Sequence, residues 1–305
     1  MGRDDRVDPH VPAADARPGP LRGALLLLLA FMVGEVVVAF WSGSLALLSD
    51  AGHMLSDVGA IAAALWALRL AARPPTGAWT FGWKRAEILS AAGNGLTLAV
   101  VAGILAVEAV RRLVSPEPVS GTPVVVVAAV GVVVNVAATW LLARANRTSL
   151  NVEGAYQHIL TDLFGFLGTL VAGVVILLTD WVRADAIASL VVVALMVRAA
   201  WSLLRDSGRV LLEGAPRDIE LAEVRGHLLG NEHVRDVHDL HVWTVTSGLP
   251  TLSVHVVVDE ECFRAGHAPR LLDELQECLV GHFDVEHSTF QLEPATHAQH
   301  EPGMH

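Results

Sequence analysis

The stretch SDAGHMLSDVGA, Ser49 to Ala60, stands inside a long apolar run yet contains Asp50, His53 and Asp57. An ionisable side chain at mid-bilayer is unfavourable by about 2.5–3.5 kcal/mol on insertion scales. Such groups therefore face the interior of a helix bundle or a wet cavity. Composition makes the membrane setting the right one. Of the 305 residues 53% are hydrophobic and 17% charged, with a mean hydropathy of +0.49, more apolar than a soluble domain of this length.

Hydropathy working outward from this stretch predicts six membrane helices, over about 21–41, 45–71, 87–113, 122–143, 153–179 and 184–204. Pro74-Pro75 breaks the chain after the second span, and Pro116, Pro118 and Gly121 punctuate the gap after the third. Six crossings leave both termini on one side. Arg17, Arg22, Arg69, Arg73, Lys84, Arg85, Arg144, Arg147, Arg205 and Arg209 flank the spans there, against Arg111, Arg112 and Arg183 opposite. The positive-inside rule then makes both termini cytoplasmic. Lys84 is the only lysine in an Ala- and Val-rich chain; that bias fits a GC-rich bacterial genome, and so a multi-pass protein of a bacterial inner membrane in contact with lipid.

The net charge of -11 disfavours nucleic acid as a partner. Cys262 and Cys278 make no disulfide framework and are expected as free cytoplasmic thiols. Residues 1–20 form an expected disordered tail and 21–212 the membrane domain. Residues 213–293 carry helix, strand, strand, helix, strand in that order, a small cytoplasmic α+β domain of metallochaperone or ferredoxin-like type. Residues 294–305 are a polar tail with His297, His300 and His305.

HMLSD places His53 and Asp57 at i, i+4, one turn apart on one helix face. Asp50 lies one turn earlier. HILTD in the fifth span repeats the pattern with His158 and Asp162. A cation is the simplest way to hold two imidazoles and two carboxylates together in a membrane, and two nitrogens with two oxygens suit tetrahedral Zn2+. Mn2+ or Mg2+ would favour more oxygens. Asp50 stays outside this set, either orienting His53 or bridging helices. HILTD lies near the start of its run and HMLSD deeper in its own. The pairs share a level if the fifth helix begins near Asn151, with polar first turns protruding inward. Glu87, Glu108 and Asp185 fall near span ends, where the interface accommodates them, and Asn94 and Asn135 read as helix bridges. Glu35 is a further polar residue within a span.

The stretches SLALLSDAGHMLSD, FGWKRAEILSAAGNG and NVEGAYQHILTDLFG, with the α-β-β-α-β tail, make the sequence resemble a cation diffusion facilitator of the zinc-exporting bacterial kind, over nearly the whole chain. The resemblance implies a transport site of His53, Asp57, His158 and Asp162. It also implies a homodimer with paired cytoplasmic domains, and Zn2+/H+ antiport by alternating access. It implies a charge pair of Lys84 or Arg85 with Asp206 or Glu213, and regulatory zinc at positions such as His238 and His255, with Asp239 and His287 as further candidates beside His241 and His267. Gln291 stands where some relatives have another histidine. The loop RPPTGAWTFGW has neither Asp nor His, and ARANRTSLNVEGAYQ has no His, so accessory sites known from some relatives are not expected. The sequon Asn146-Arg147-Thr148 is expected to be silent on the cytoplasmic side.

Two other functions compete with transport. A membrane metallohydrolase would need an open position for water and a base outside the shell; HExxH is absent and Asp50 is the only nearby base. A metal sensor would place its chemistry in the cytoplasmic domain and have no use for two HxxxD pairs in the bilayer. The expected function is therefore export of Zn2+ in exchange for H+, with Cd2+ or Co2+ as further cargo and no enzymatic activity.

Overall fold

A computed structural model describes residues 19–42, 45–116, 121–145, 149–285 and 287–298; at 35, 38–42, 45–57 and 121–124 the helical backbone alone is described. The side chains of Glu35, Asp50, His53 and Asp57 thus lie outside the described residues, as do residues 1–18, Pro118, the sequon 146–148, His300 and His305.

Six long helices come first: α1 Gly19–Ser42, α2 Leu45–Ala71, α3 Ala86–Val114, α4 Gly121–Ala143, α5 Leu150–Thr179 and α6 Arg183–Leu211. In lipid an apolar run must satisfy its own backbone, which helix alone does within one segment. This overrides the weak helix propensity of Val-rich α4. The apolar outer faces expose Leu26, Trp66, Leu96, Ile104, Val133, Trp140 and Trp201, as expected where lipid replaces water.

Two large clusters fill much of the interior among the described residues. Leu21, Ala24 and Leu28 of α1 pack with Ile61, Ala64, Leu65 and Leu68 of α2, Ala138 and Leu142 of α4, and Val152 and Ile159 of α5. Leu98 and Ala102 of α3 pack with Val193, Met196, Ala199, Ala200 and Leu203 of α6. The first cluster joins the two helices that carry the HxxxD pairs. At Gly131 the α4 backbone comes so close to α5 that a Cβ would lie 2.3 Å from the Phe166 ring. Gly131→Ala is expected to destabilise this contact by about 1–3 kcal/mol, read as a lowered Tm of detergent-solubilised protein. An unchanged Tm would mean that the ring turns aside at no cost.

Two compact units meet in sequence at Gly208 and Arg209. The second holds α7 Leu221–Leu229, β1 Val234–Thr244, β2 Pro250–Val258, α8 Glu260–Arg264, α9 Ala268–Phe283, β3 His287–Pro294 and α10 Ala295–Ala298. The sheet order is β1-β2-β3, with β1 antiparallel and β3 parallel to β2. A parallel neighbour needs a crossover, and α9 supplies it, burying Leu271, Leu275 and Leu279 on the sheet. Two short helices add to the expected order. α8 is too short and polar for periodicity to reveal, and α10 turns four residues of the tail, where His297 Nε2 lies 3.8 Å from Glu293 one turn back.

Arg235 of β1 donates two hydrogen bonds to Asp259, at 2.6 and 2.5 Å. These hold the Asp259 carboxyl below the usual carboxylate range. A depressed folded-state value stabilises the fold above the unfolded value, about pH 4, and the contribution fades as pH falls through the folded one. Asp259→Asn should therefore flatten the acid limb of the unfolding profile below about pH 4, with a small effect because the pair is exposed. An unchanged acid limb would contradict the assignment.

Candidate functional site

The first turn of α5 is tied down on two sides. Ser149 is its N-cap: the hydroxyl accepts from the Val152 N–H at 3.3 Å and donates to Glu87 of α3 at 2.9 Å. Both residues are fully buried, so Glu87 is not the interfacial carboxylate that its place near a span end suggests. Asn151, also buried, donates from Nδ2 to the carbonyl of Ala64 in α2 at 2.8 Å.

This last bond fixes a register. The chain reverses at each connection, so the second and fifth helices run antiparallel. Seven residues back from Ala64 is Asp57, and seven forward from Asn151 is His158; eleven residues from the same points are His53 and Asp162. Seven and eleven residues are whole turns to within about 20°. The α2 backbone at 57 and 53 therefore stands level with α5 at 158 and 162, roughly 10 and 16 Å from the bonded pair. α5 begins at Leu150, the early start under which the two motifs share a level.

On α5 itself, His158 is buried and its Nε2 lies 3.7 Å from Oδ2 of Asp162. One turn before His158, Gly154 lets α5 pass close to α3 and α6: a Cβ there would meet Asn94 and Leu203 at 3.3 Å. Asn94 thus sits in a helix contact, whereas Asn135 donates to the Gly131 carbonyl of its own helix at 3.0 Å. Glu108 and Asp185 both meet Arg112, at 2.9 and 3.5 Å.

The second cluster lies across the sheet of the C-terminal unit. His238 and His255 are register partners on β1 and β2, with ring centroids 5.1 Å apart. Glu293 of β3 is buried, with Oε1 2.5 Å from Nε2 of His238 and Oε2 3.9 Å from Nδ1 of His255. One ligand atom from each of the three lies within 4.8 Å of the others, a reach that one cation can span. Burial alone would lower the His238 imidazole, but the hydrogen bond and charge of Glu293, followed by those of Asp239, outweigh it and hold it above its ordinary value. Asp239, with φ of 46°, turns back so that its carboxylate lies 3.5 Å from His238 Nδ1. Gln291, the β3 partner of His255, donates to Glu293 at 3.3 Å.

His287 is not brought to this cluster. It pairs with Thr251 at the opposite end of β3, four positions from the His255–Gln291 pair. Glu293 takes the place in its stead. Alternation along VEHSTFQLE marks a strand but does not reveal that its last acid turns inward; the parallel register with β2 would have been the signal.

Residues 21–212 match the cation efflux transmembrane domain, and residues 216–295 match the cytoplasmic domain of cation efflux proteins. The chain belongs to the cation efflux family. It is 41% identical over 265 residues to zinc transporter ZitB of Escherichia coli (strain K12), covering 86% of this chain and 83% of the relative. It is 40% identical over 285 residues to metal cation efflux system protein CzcD of Cupriavidus metallidurans, covering 93% and 89%. Identity to the cadmium, cobalt and zinc/H(+)-K(+) antiporter of Bacillus subtilis is 35% over 276 residues, covering 90% and 88%.

A cation efflux protein is a transporter, not an enzyme. The remaining candidates flank α3 and α6 in sequence. Lys84 and Arg85 lead into α3, Asp206 accepts from Ser202 at 3.4 Å within α6, and Glu213 follows α6 with φ of 57°.

Proposed function

We propose that this cation efflux protein exports Zn2+ from the cytoplasm in exchange for protons, with Cd2+ or Co2+ as further cargo, at a site formed by His53, Asp57, His158 and Asp162. The observation that carries this reading is the Asn151–Ala64 hydrogen bond; helix rise counted from it supports a common level for the backbones of the two HxxxD motifs. The names of its relatives, a zinc transporter and a cadmium, cobalt and zinc antiporter, point the same way.

Zinc binds neutral imidazole and ionised carboxylate, so metal and protons compete for the same lone pairs. Histidine, with an ordinary value near 6.5, exchanges one for the other within the physiological range. Zinc loads from an inward-facing cavity, the helices rock, and protons from outside displace it; released inward, they couple the cycle to the proton gradient. Lys84 or Arg85 with Asp206 or Glu213 is proposed as the charge pair steadying α3 against α6. The protein acts as a homodimer in a bacterial inner membrane, with both termini cytoplasmic. His238, His255 and Glu293, with Asp239 orienting His238, hold a regulatory zinc ion in the cytoplasmic unit. In proteoliposomes with an imposed pH gradient, zinc uptake should follow the gradient and collapse with an uncoupler. Uptake indifferent to the gradient would contradict proton exchange.

A further inference from the structure

We propose that Asn151 is a positioning residue that sets the cation selectivity of the transport site, by pinning the register of α5 on α2. The inference rests on the four-ligand reading above. Each motif supplies one imidazole and one carboxylate, so the shape of the cage depends on how far one helix has slid along the other. Zinc holds its nitrogen and oxygen ligands at about 2.0–2.2 Å. One residue of helix rise is about 1.5 Å, so a slide of a fraction of a residue is enough to loosen the cage and admit the larger Cd2+.

Ile61, Leu65 and Leu68 on α2 share an apolar cluster with Val152 and Ile159 on α5, and their attraction is non-directional. The Ser149–Glu87 bond ties α5 to α3, not to the other helix bearing ligands. The amide of Asn151 on the Ala64 carbonyl is a directional side-chain hydrogen bond between α2 and α5. Its placement is specific, since both partners are buried and stand the same whole number of turns from their ligand pairs.

The test compares Zn2+ and Cd2+ flux of the full-length protein in proteoliposomes. Asn151→Ala is expected to lower the zinc-to-cadmium ratio of kcat/KM about tenfold, the lower end of what loss of a ligand-orienting partner does to metal affinity. The change should fall on the KM for zinc more than on kcat. Asn151→Gln, which keeps the amide on a longer arm, should recover part of the ratio. Ser149→Ala should lower thermal stability and leave the ratio alone. An unchanged ratio in Asn151→Ala overturns the proposal. If that variant does not fold, the isosteric Asn151→Asp, without the N–H donor, carries the same comparison with the same overturning result. Asp162→Ala separates the two readings: flux lost there with an unchanged ratio at Asn151 rejects only selectivity, whereas full flux in Asp162→Ala rejects the site itself.

Discussion

Asp162→Ala should lower zinc flux into proteoliposomes at least about a hundredfold, beyond the 10–100-fold that loss of an outer partner brings. In the proposed site this carboxylate is one of two anionic ligands. Without it the shell keeps two imidazoles and one carboxylate, loses a charge that offsets the cation, and lacks a group that takes up a proton when zinc leaves. Both binding and coupling suffer, so added zinc does not restore the rate. Asp57→Ala should behave alike, because Asp57 is the other anionic ligand of the proposed site. The check is initial zinc uptake at saturating metal, with reconstitution verified by protein recovery. Wild-type flux in either variant would mean that the cation crosses elsewhere.

The second large effect is expected in the cytoplasmic unit. Glu293→Ala should weaken zinc binding there at least about a hundredfold, beyond the 10–100-fold that loss of an outer partner brings, because Glu293 is a proposed ligand and reaches both His238 and His255. Competition with a chelator on full-length protein, in an Asp162→Ala background that silences the membrane site, isolates this binding. His287→Ala should leave it unchanged, since His287 stands at the other end of β3. The opposite ranking of the two variants would reject the cluster as drawn.

The six-helix plan was legible because the bilayer enforces it: a long apolar run has one economical fold in lipid, and α2 and α4 begin and end within a residue of where hydropathy places them. α6 runs on to Leu211, because polar Arg205, Asp206 and Arg209 hide a helix that continues past the apolar run. The HxxxD pairs were legible as candidates through their expense in a membrane. Their mutual level was not, since it hangs on Asn151, a small polar residue whose significance lies in which helix it meets. Glu293 was hidden for a related reason. A charge at the end of a strand reads as solvated until a parallel neighbour and two facing imidazoles show that it is enclosed, and alternation along one strand carries no information about its neighbours.

The central claim is that α2 and α5 together form one cation site of two nitrogens and two oxygens. The most direct measurement is zinc X-ray absorption on full-length protein carrying His238→Ala and Glu293→Ala, so that the membrane site dominates the signal. The prediction is a four-coordinate shell with two imidazole signatures and two oxygens, all at about 2.0–2.2 Å. Its imidazole contribution should halve in His158→Ala. A shell containing sulfur, a six-oxygen shell, or one unchanged by His158→Ala would contradict it.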